Sequence, residues 1–186
     1  IICLLFIKEY IINQKINHFE YVILLMFSIL GLFLLCCAND FLTTYLGMEL
    51  QSLAFYLLAA FKKKSSQAVD AGLKYFILGA LSSSLFLFGV SLIYGAFGTI
   101  NFEDLKNLSI IYIFQINETG VDYSKINYFS TIGLMFIFFS LFFKLALAPF
   151  HLWSPDVYEG SPSSSSFFFA VVPKIGIFVV IVRISY

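Results

Sequence analysis

Long runs of apolar residues constrain the fold of this chain more than any other feature of its sequence. A helix needs about 20 apolar residues to cross the roughly 30 Å of hydrocarbon in a membrane. Charged residues make up only 12% of the chain, too few for the surface of a soluble domain of this size. The sequence therefore predicts an all-α polytopic membrane protein. The five predicted spans cover residues 21–37, 41–61, 71–97, 126–148 and 167–186.

The charges in the connections predict how the spans are oriented. Lysines at positions 62–64 follow the second span, and Lys8 and Lys15 precede the first. Because positively charged connections stay preferentially on the inner side of a membrane, we place these lysines on the matrix or cytoplasmic side. Alternation of the spans then puts the polar, acidic connection 98–125 outside. A serine-rich stretch at 161–166 is predicted to be a polar linker.

Three ionisable residues fall inside the predicted spans, namely Glu49, Lys144 and Lys174. Each would cost about 2.5–3.5 kcal/mol in hydrocarbon, so we expect them to face the protein interior, water or one another. Opposite charges within about 4–6 Å keep each other ionised, whereas desolvation favours the neutral forms. We expect Glu49 and Lys144 to approach in this way, directly or through one or two waters. Such a site can take up and release a proton when a neighbouring charge changes. The alternative is a static pair that fixes the helix register.

Prolines accompany both of the lysines inside spans. Pro149 follows Lys144 by five residues, and Pro173 directly precedes Lys174. Proline removes a helical hydrogen bond, and the discontinuous helices of transporters lie at ion sites. We therefore predict that Pro149 interrupts the fourth span and that residues 150–158 continue it as a short half-helix.

Lys74 and His151 are further candidates for proton transfer. Lys74 lies four residues after Asp70, so a helical pair at the inner surface also explains it. His151 lies just past the predicted break, where it could relay protons or hold a hydrogen bond at the membrane interface. Trp153 and Tyr158 are predicted to belong to the aromatic belt at that interface.

The sequence contains no signal for a cofactor, a metal or a nucleic acid. Cys3, Cys36 and Cys37 lie in apolar runs without the spacing of disulfides or metal ligands. A glycine-rich nucleotide loop is missing, and the net charge of zero gives no basic surface for nucleic acid. We expect membrane lipids and other membrane proteins as the partners of this chain.

Four segments together resemble a known family. They are LGMELQSLAFYLLAAF at 46–61, AGLKYFILGALSSSLFLFGVSLIYG at 71–95, FKLALAPFHLWSPDVYEGSP at 143–162 and AVVPKIG at 170–176. Their order and spacing are similar to those of the antiporter-like, proton-pumping subunits of respiratory complex I (NADH:ubiquinone oxidoreductase), and of subunit 2 in particular. The resemblance covers residues 21 to 186.

The resemblance implies an architecture and a role. It implies that residues 21–186 form one five-helix inverted repeat with a proline-broken helix, and that segment 1–20 is a remnant of a preceding helix. It also implies that Glu49, Lys144 and Lys174 belong to a hydrophilic axis that couples distant quinone reduction to proton movement. NADH, flavin, iron–sulfur clusters and quinone are then expected elsewhere in the complex, and none of them on this chain.

The resemblance also implies partners and a location. Family members carry a second five-helix repeat, so we expect a second chain, the product of a split gene, to complete this subunit beside the other membrane-arm subunits. The abundance of Phe and the single Arg fit an AT-rich organellar genome, which predicts the mitochondrial inner membrane rather than a bacterial plasma membrane or a thylakoid. Two other functions stay open: a subunit of a multi-subunit cation/proton antiporter, and a purely structural membrane-arm fragment.

Overall fold

The computed structural model describes residues 19–62, 65–119 and 124–185, and of residues 112–127 it describes at most the backbone. Some sequence predictions fall outside this part of the chain. They concern most of segment 1–20, Cys3 and the lysines at positions 8, 15, 63 and 64. Of the lysines from which the orientation was predicted, only Lys62 lies in the described part of the chain.

The described residues form seven α-helices and one isolated antiparallel bridge. The helices are α1 (Phe19–Cys37), α2 (Phe41–Ala59), α3 (Ser66–Phe97), α4 (Phe102–Thr119), α5 (Ser124–Leu145), α6 (Ser154–Gly160) and α7 (Ser163–Ser185). Of these, α1, α3, α5 and α7 are long and apolar enough to cross a membrane. The prediction of an all-α polytopic membrane protein is confirmed.

Helix α2 corresponds to the second predicted span, and it differs from the other four in composition. It has 19 residues, but Glu49, Gln51 and two threonines interrupt its apolar sequence, and it is not among the four candidate spans. It packs between α1, α3 and α7, and more than half of its residues are buried. Its polar groups can therefore face protein, which removes the need for an entirely apolar sequence.

The outward faces of the apolar helices carry large exposed side chains. Met26 on α1, Ile77 on α3 and Val182 on α7 are each about 60% exposed, at 60%, 62% and 60%. Contiguous apolar surface of this kind is rare on soluble monomers. Lipid, or another membrane subunit, is the environment that suits it.

The α1–α2 turn and the α3–α4 connection meet at one end of the bundle. The Phe41 N–H donates to the Ile100 carbonyl at 3.1 Å, and the Phe102 N–H donates to the Asn39 carbonyl at 3.1 Å. The predicted alternation of spans puts these two connections on the same side of the membrane, and the hydrogen bonds agree with it.

Most of the connection 98–125 is helical, which was not predicted. At the start of α4 the Asn101 side-chain oxygen accepts a hydrogen bond from the Glu103 N–H at 3.0 Å. Glu103 and Asp104 place negative charge in the first turn, where it opposes the positive end of the helix dipole. Helix α4 is not one of the candidate membrane spans, which agrees with the prediction that this connection does not cross the membrane.

The polar linker predicted at 161–166 is wrong, because α7 begins inside it and its serines are packed. The Tyr21 hydroxyl hydrogen bonds with the hydroxyls of Ser164 and Ser165 at 2.9 and 3.0 Å. Ser165 also donates to the Leu58 carbonyl at 3.3 Å. Hydroxyls are tolerated in the interior when they are hydrogen bonded, and these join the beginnings of α1 and α7 to the end of α2.

Glycines allow α3 to approach its neighbours closely. A Cβ atom at Gly89 would lie 2.6 Å from the Gly133 carbonyl oxygen of α5. A Cβ atom at Gly79 would overlap the Tyr56 hydroxyl of α2. Since lipid supplies no hydrophobic drive for helix association, such close backbone packing is a main source of stability in a membrane.

Candidate functional site

Helix α5 ends in a left-handed turn. The Leu147 N–H donates to the Phe142 carbonyl at 3.0 Å. The Ala146 N–H donates to the Phe143 carbonyl at 3.0 Å, and the φ angle of Ala146 is 56°. This is a Schellman motif, which closes helix ends with a residue in the left-handed region. The helix therefore stops before it reaches Pro149, so the prediction of a broken span holds but its position shifts.

The half-helix that follows the break is α6. The sequence predicted a start at residue 150, but α6 begins at Ser154, because the chain between the two helices forms turns. A Cβ atom at Gly160 would lie 2.6 Å from the Ala71 Cβ. The half-helix thus packs closely on α3, and the chain reverses into α7 directly after it.

Lys144 lies in the last turn of α5 and lines a cavity at the break. The cavity accommodates the centres of water-sized molecules over about 30 Å³, which is room for about two waters. Helices α2, α3 and α5 and the turn before α6 contribute its polar lining, which consists of Gln51, Ser52, Tyr56, Tyr75, Ser82, Lys144 and Trp153. The lysine selected from the sequence therefore faces a polar interior.

Glu49 lies within electrostatic range of Lys144 but does not touch it. Among the described residues, no carboxylate oxygen comes within 4.0 Å of the Lys144 ammonium. The Glu49 Oε1 and Gln51 Nε2 atoms are both buried without a hydrogen-bond partner in the described part of the chain. Glu49 and Lys144 therefore form no direct ion pair. An approach within a few ångströms, or a link through one or two waters, stays a prediction.

Lys174 and His151 lie outside this cavity lining. Lys174 is partly buried on α7, directly after Pro173, which does line the cavity. Helix α7 continues through Pro173, so this proline does not break the span. His151 is exposed in the turn between α5 and α6, where its carbonyl accepts a hydrogen bond from the Ser154 hydroxyl at 2.9 Å. Proton-transfer roles for Lys174 and His151 stay predictions.

Lys74 pairs with Asp156 of the half-helix, and the predicted local pair with Asp70 is wrong. The Lys74 Nζ lies 2.5 Å from the Asp156 Oδ2, and the two side chains are 57% and 54% exposed. Because α3 begins at Ser66, about 12 Å of helix precedes Lys74. The side chain can thus lie at the membrane surface, where it joins the half-helix to α3.

We expect the substitution Asp156→Asn to have a small effect. Exposed ion pairs add little to stability because water screens them, so the melting temperature of the assembled complex should fall by no more than a few degrees. Turnover should stay close to that of the unmodified protein. A loss of activity as large as that caused by replacing Lys144 would show that the pair does more than join two helices.

The left-handed conformation of Ala146 leads to a second expectation. An alanine in this region is strained by about 1–2 kcal/mol, whereas glycine adopts it freely. Glycine also loses more entropy on folding, so Ala146→Gly should stabilise the chain by up to about 1 kcal/mol. Denaturation of the purified protein in detergent measures this. Ala80→Gly, on the exposed face of α3, is the control and should destabilise by about 0.5–1 kcal/mol. A destabilising effect of both substitutions contradicts the assignment of strain to Ala146.

Neutral residues of the site were missed or misplaced by the sequence interpretation. Trp153 is only 5% exposed, so its assignment to the interface belt is wrong. Its ring stacks on Tyr75, with centroids 4.8 Å apart and planes inclined by 8°. Gln51 was not selected, although an amide two residues from Glu49 in an apolar run is a usable signal.

Comparisons with known proteins agree with this architecture. Residues 38–186 match the model of the family described as NADH:quinone oxidoreductase/Mrp antiporter, transmembrane. Subunit N of the NADH-quinone oxidoreductase of Paramagnetospirillum magneticum is 47% identical over 176 residues, which are 94% of this chain and 34% of that protein. NADH-ubiquinone oxidoreductase chain 2 of Marchantia polymorpha is 42% identical over 176 residues, which are 95% of this chain and 35% of that protein.

A solved structure gives the same result for the fold. A chain in the respiratory complex I of Thermus thermophilus superposes with a TM-score of 0.72 at 34% identity, over 90% of this chain and 34% of that one. The chain spans about a third of the length of the curated relatives it matches. The match to the family model covers most of the chain, including the second span, the broken helix and the last span. The chain therefore belongs to the NADH:quinone oxidoreductase/Mrp antiporter transmembrane family.

Proposed function

We propose that this chain carries proton-translocating residues of a membrane-arm subunit of a respiratory NADH:quinone oxidoreductase. The observation that carries the proposal is the position of Lys144. It lies at a helix break, in a cavity with room for water, within electrostatic range of Glu49. Ionisable groups inside a membrane mark proton or ion paths more often than static pairs. The relatives are named as subunits of NADH-quinone oxidoreductase, and electron transfer from NADH to quinone is the reaction that would drive the proton movement.

Each residue of the proposed site has a separate role. Lys144 takes up a proton and releases it when a neighbouring charge changes. Glu49 is that neighbouring charge on α2. It does not line the cavity itself, and its Oε1 is buried without a hydrogen-bond partner in the described part of the chain. Lys174, on the helix that follows the break, is the next group along the hydrophilic axis. Lys74 and His151 are further candidates for the relay; both side chains are exposed and lie outside the cavity lining.

The same proposal covers partners and location. NADH, flavin, iron–sulfur clusters and quinone bind to other subunits, and the neighbours of this chain are membrane-arm subunits and lipids. Residues 21–186 act as one repeat of the antiporter-like fold. The composition supports the mitochondrial inner membrane, although the relatives include bacterial and Marchantia proteins.

Purification of the tagged chain from native membranes in mild detergent tests this assignment. We expect a large complex with NADH dehydrogenase activity, flavin and iron–sulfur signals. A complex without redox centres that exchanges cations for protons would assign the chain to the antiporter branch of the family instead. Because the chain covers about a third of its relatives, mass spectrometry of the same complex also tests whether a second polypeptide completes the subunit.

A further inference from the structure

The indole of Trp153 bridges the break between α5 and α6. Its Nε1 donates to the Phe143 carbonyl at 3.0 Å, although ten residues separate the two positions. That carbonyl belongs to the last turn of α5 and already accepts the Ala146 N–H at 3.0 Å. A carbonyl oxygen has two lone pairs, so both donors are accommodated. Phe143 directly precedes Lys144, which places this hydrogen bond one residue from the cavity lysine.

Besides this hydrogen bond, the Trp153 ring has a stacked contact with the Phe143 ring of α5, with centroids 5.8 Å apart. Trp153 is also held by α3 and α6. It directly precedes α6, where its carbonyl accepts the Val157 N–H at 3.2 Å, and it stacks on Tyr75 of α3 with nearly parallel rings. The half-helix is joined to α3 by the Lys74–Asp156 pair and by the close contact at Gly160. The indole is therefore fixed to α3 and α6, and its N–H reaches across to the end of α5.

We propose that Trp153 is a positioning residue that sets the place of Lys144 relative to Glu49. The proposal rests on the proton-transfer role of Lys144 given above. The last turn of α5 has lost the helical partners of its carbonyls, so its position depends on the capping hydrogen bonds. The Schellman bonds hold this turn to the chain immediately after it, whereas the Trp153 bond holds it to α3 and α6. Without the indole N–H, the turn can shift relative to the rest of the site.

The substitution Trp153→Phe tests this, because it keeps an aromatic ring beside Tyr75 and removes the N–H. We expect the complex to assemble and NADH oxidation by an artificial acceptor to stay normal. Quinone-linked turnover per assembled complex should fall by about two- to tenfold, which corresponds to the net contribution of one hydrogen bond. Leu152→Ala is the matched control, since Leu152 lies in the same turn but is 80% exposed. The control should behave like the unmodified protein.

The pH profile of quinone-linked turnover separates positioning from a purely structural role. The titratable side chains near Lys144 are Glu49 and Tyr56 on α2 and Tyr75 on α3, and α7 contributes Pro173 and Ile177, which do not titrate. The distance between Lys144 and Glu49 sets how strongly the two groups influence each other's protonation. In Trp153→Phe we therefore expect the pH profile of turnover to shift, whereas a structural role lowers the amount of complex and leaves the profile unchanged.

Several results overturn the proposal. An unchanged turnover and pH profile in Trp153→Phe would do so, as would a loss equal to that of Leu152→Ala. If the Phe variant does not assemble, Trp153→Tyr keeps more ring volume and still lacks the indole N–H; failure of both to assemble assigns Trp153 to folding and also rejects the proposal. Lys144→Met in the same membranes distinguishes failure of the proposed function from failure of the positioning role. If Lys144→Met pumps normally, the proposed function is wrong. If Lys144→Met does not pump while Trp153→Phe behaves like the unmodified protein, only the positioning role is wrong.

Discussion

Lys144→Met should abolish proton pumping by the complex that contains this chain, while the complex itself assembles. Methionine keeps the length and the apolar stem of lysine and deletes the charge. The cavity then lacks the group that takes up and releases the proton in the proposed relay. Methionine is flexible and apolar and fills irregular space well, so the helices around the cavity should still pack.

The effect on turnover should be large and specific. A positioned acid–base group commonly contributes about 10²–10⁴ in rate, so we expect quinone-linked NADH oxidation to fall by at least about tenfold together with pumping. Oxidation of NADH by an artificial acceptor at the distant flavin site should stay normal. Lys106→Met is the control, because Lys106 is an exposed lysine on α4, outside the cavity lining. Normal pumping and normal quinone-linked turnover in Lys144→Met would exclude a relay through this residue.

Hydropathy predicted where the helices lie, but it did not predict where they end. The span predicted from residue 71 begins at Ser66, since the Ser65 hydroxyl caps it by accepting the Ala68 N–H at 3.4 Å. The serines at 164–166 belong to α7 for a similar reason, because hydroxyls of other helices and backbone carbonyls satisfy them. Helix ends thus depend on single hydrogen bonds that an average over 20 residues does not contain.

The charged members of the site could be predicted because burying a charge in hydrocarbon is costly wherever the chain folds. Glu49 and Lys144 stood out on that ground alone. Their neutral neighbours did not, since a buried Gln51 or Trp153 is compatible with many packings. Ion-pair partners that are distant in sequence could not be predicted either. Asp70 is the local partner of Lys74 in a helical pattern, but the half-helix brings Asp156 to it across 82 positions.

Gly89→Leu should prevent α3 and α5 from packing, and with it the assembly of the complex. The Gly89 position faces backbone, because a Cβ there would lie 2.6 Å from the Gly133 carbonyl oxygen and 3.1 Å from the Ile137 nitrogen. A backbone cannot rotate away as a side chain does, so the two helices must separate. Overpacking costs about 1–3 kcal/mol in soluble cores. The cost is expected to be at least that here, because close contact between helices is what stabilises them in lipid.

The control for this effect lies on the same helix. A Cβ atom at Gly95 would meet no described atom within 4 Å, so Gly95→Leu adds the same volume to α3 without a contact on α5. Native gels and immunoblots of matched membranes should show little assembled complex for Gly89→Leu and a normal amount for Gly95→Leu. The position of Lys144 on α5 makes the result informative for function as well. Because α3 and α5 both line the cavity, separating them at Gly89 is expected to disturb the site that holds the lysine as well. Equal amounts of complex in both variants would mean that the crossing at Gly89 and Gly133 is not where the two helices are held together.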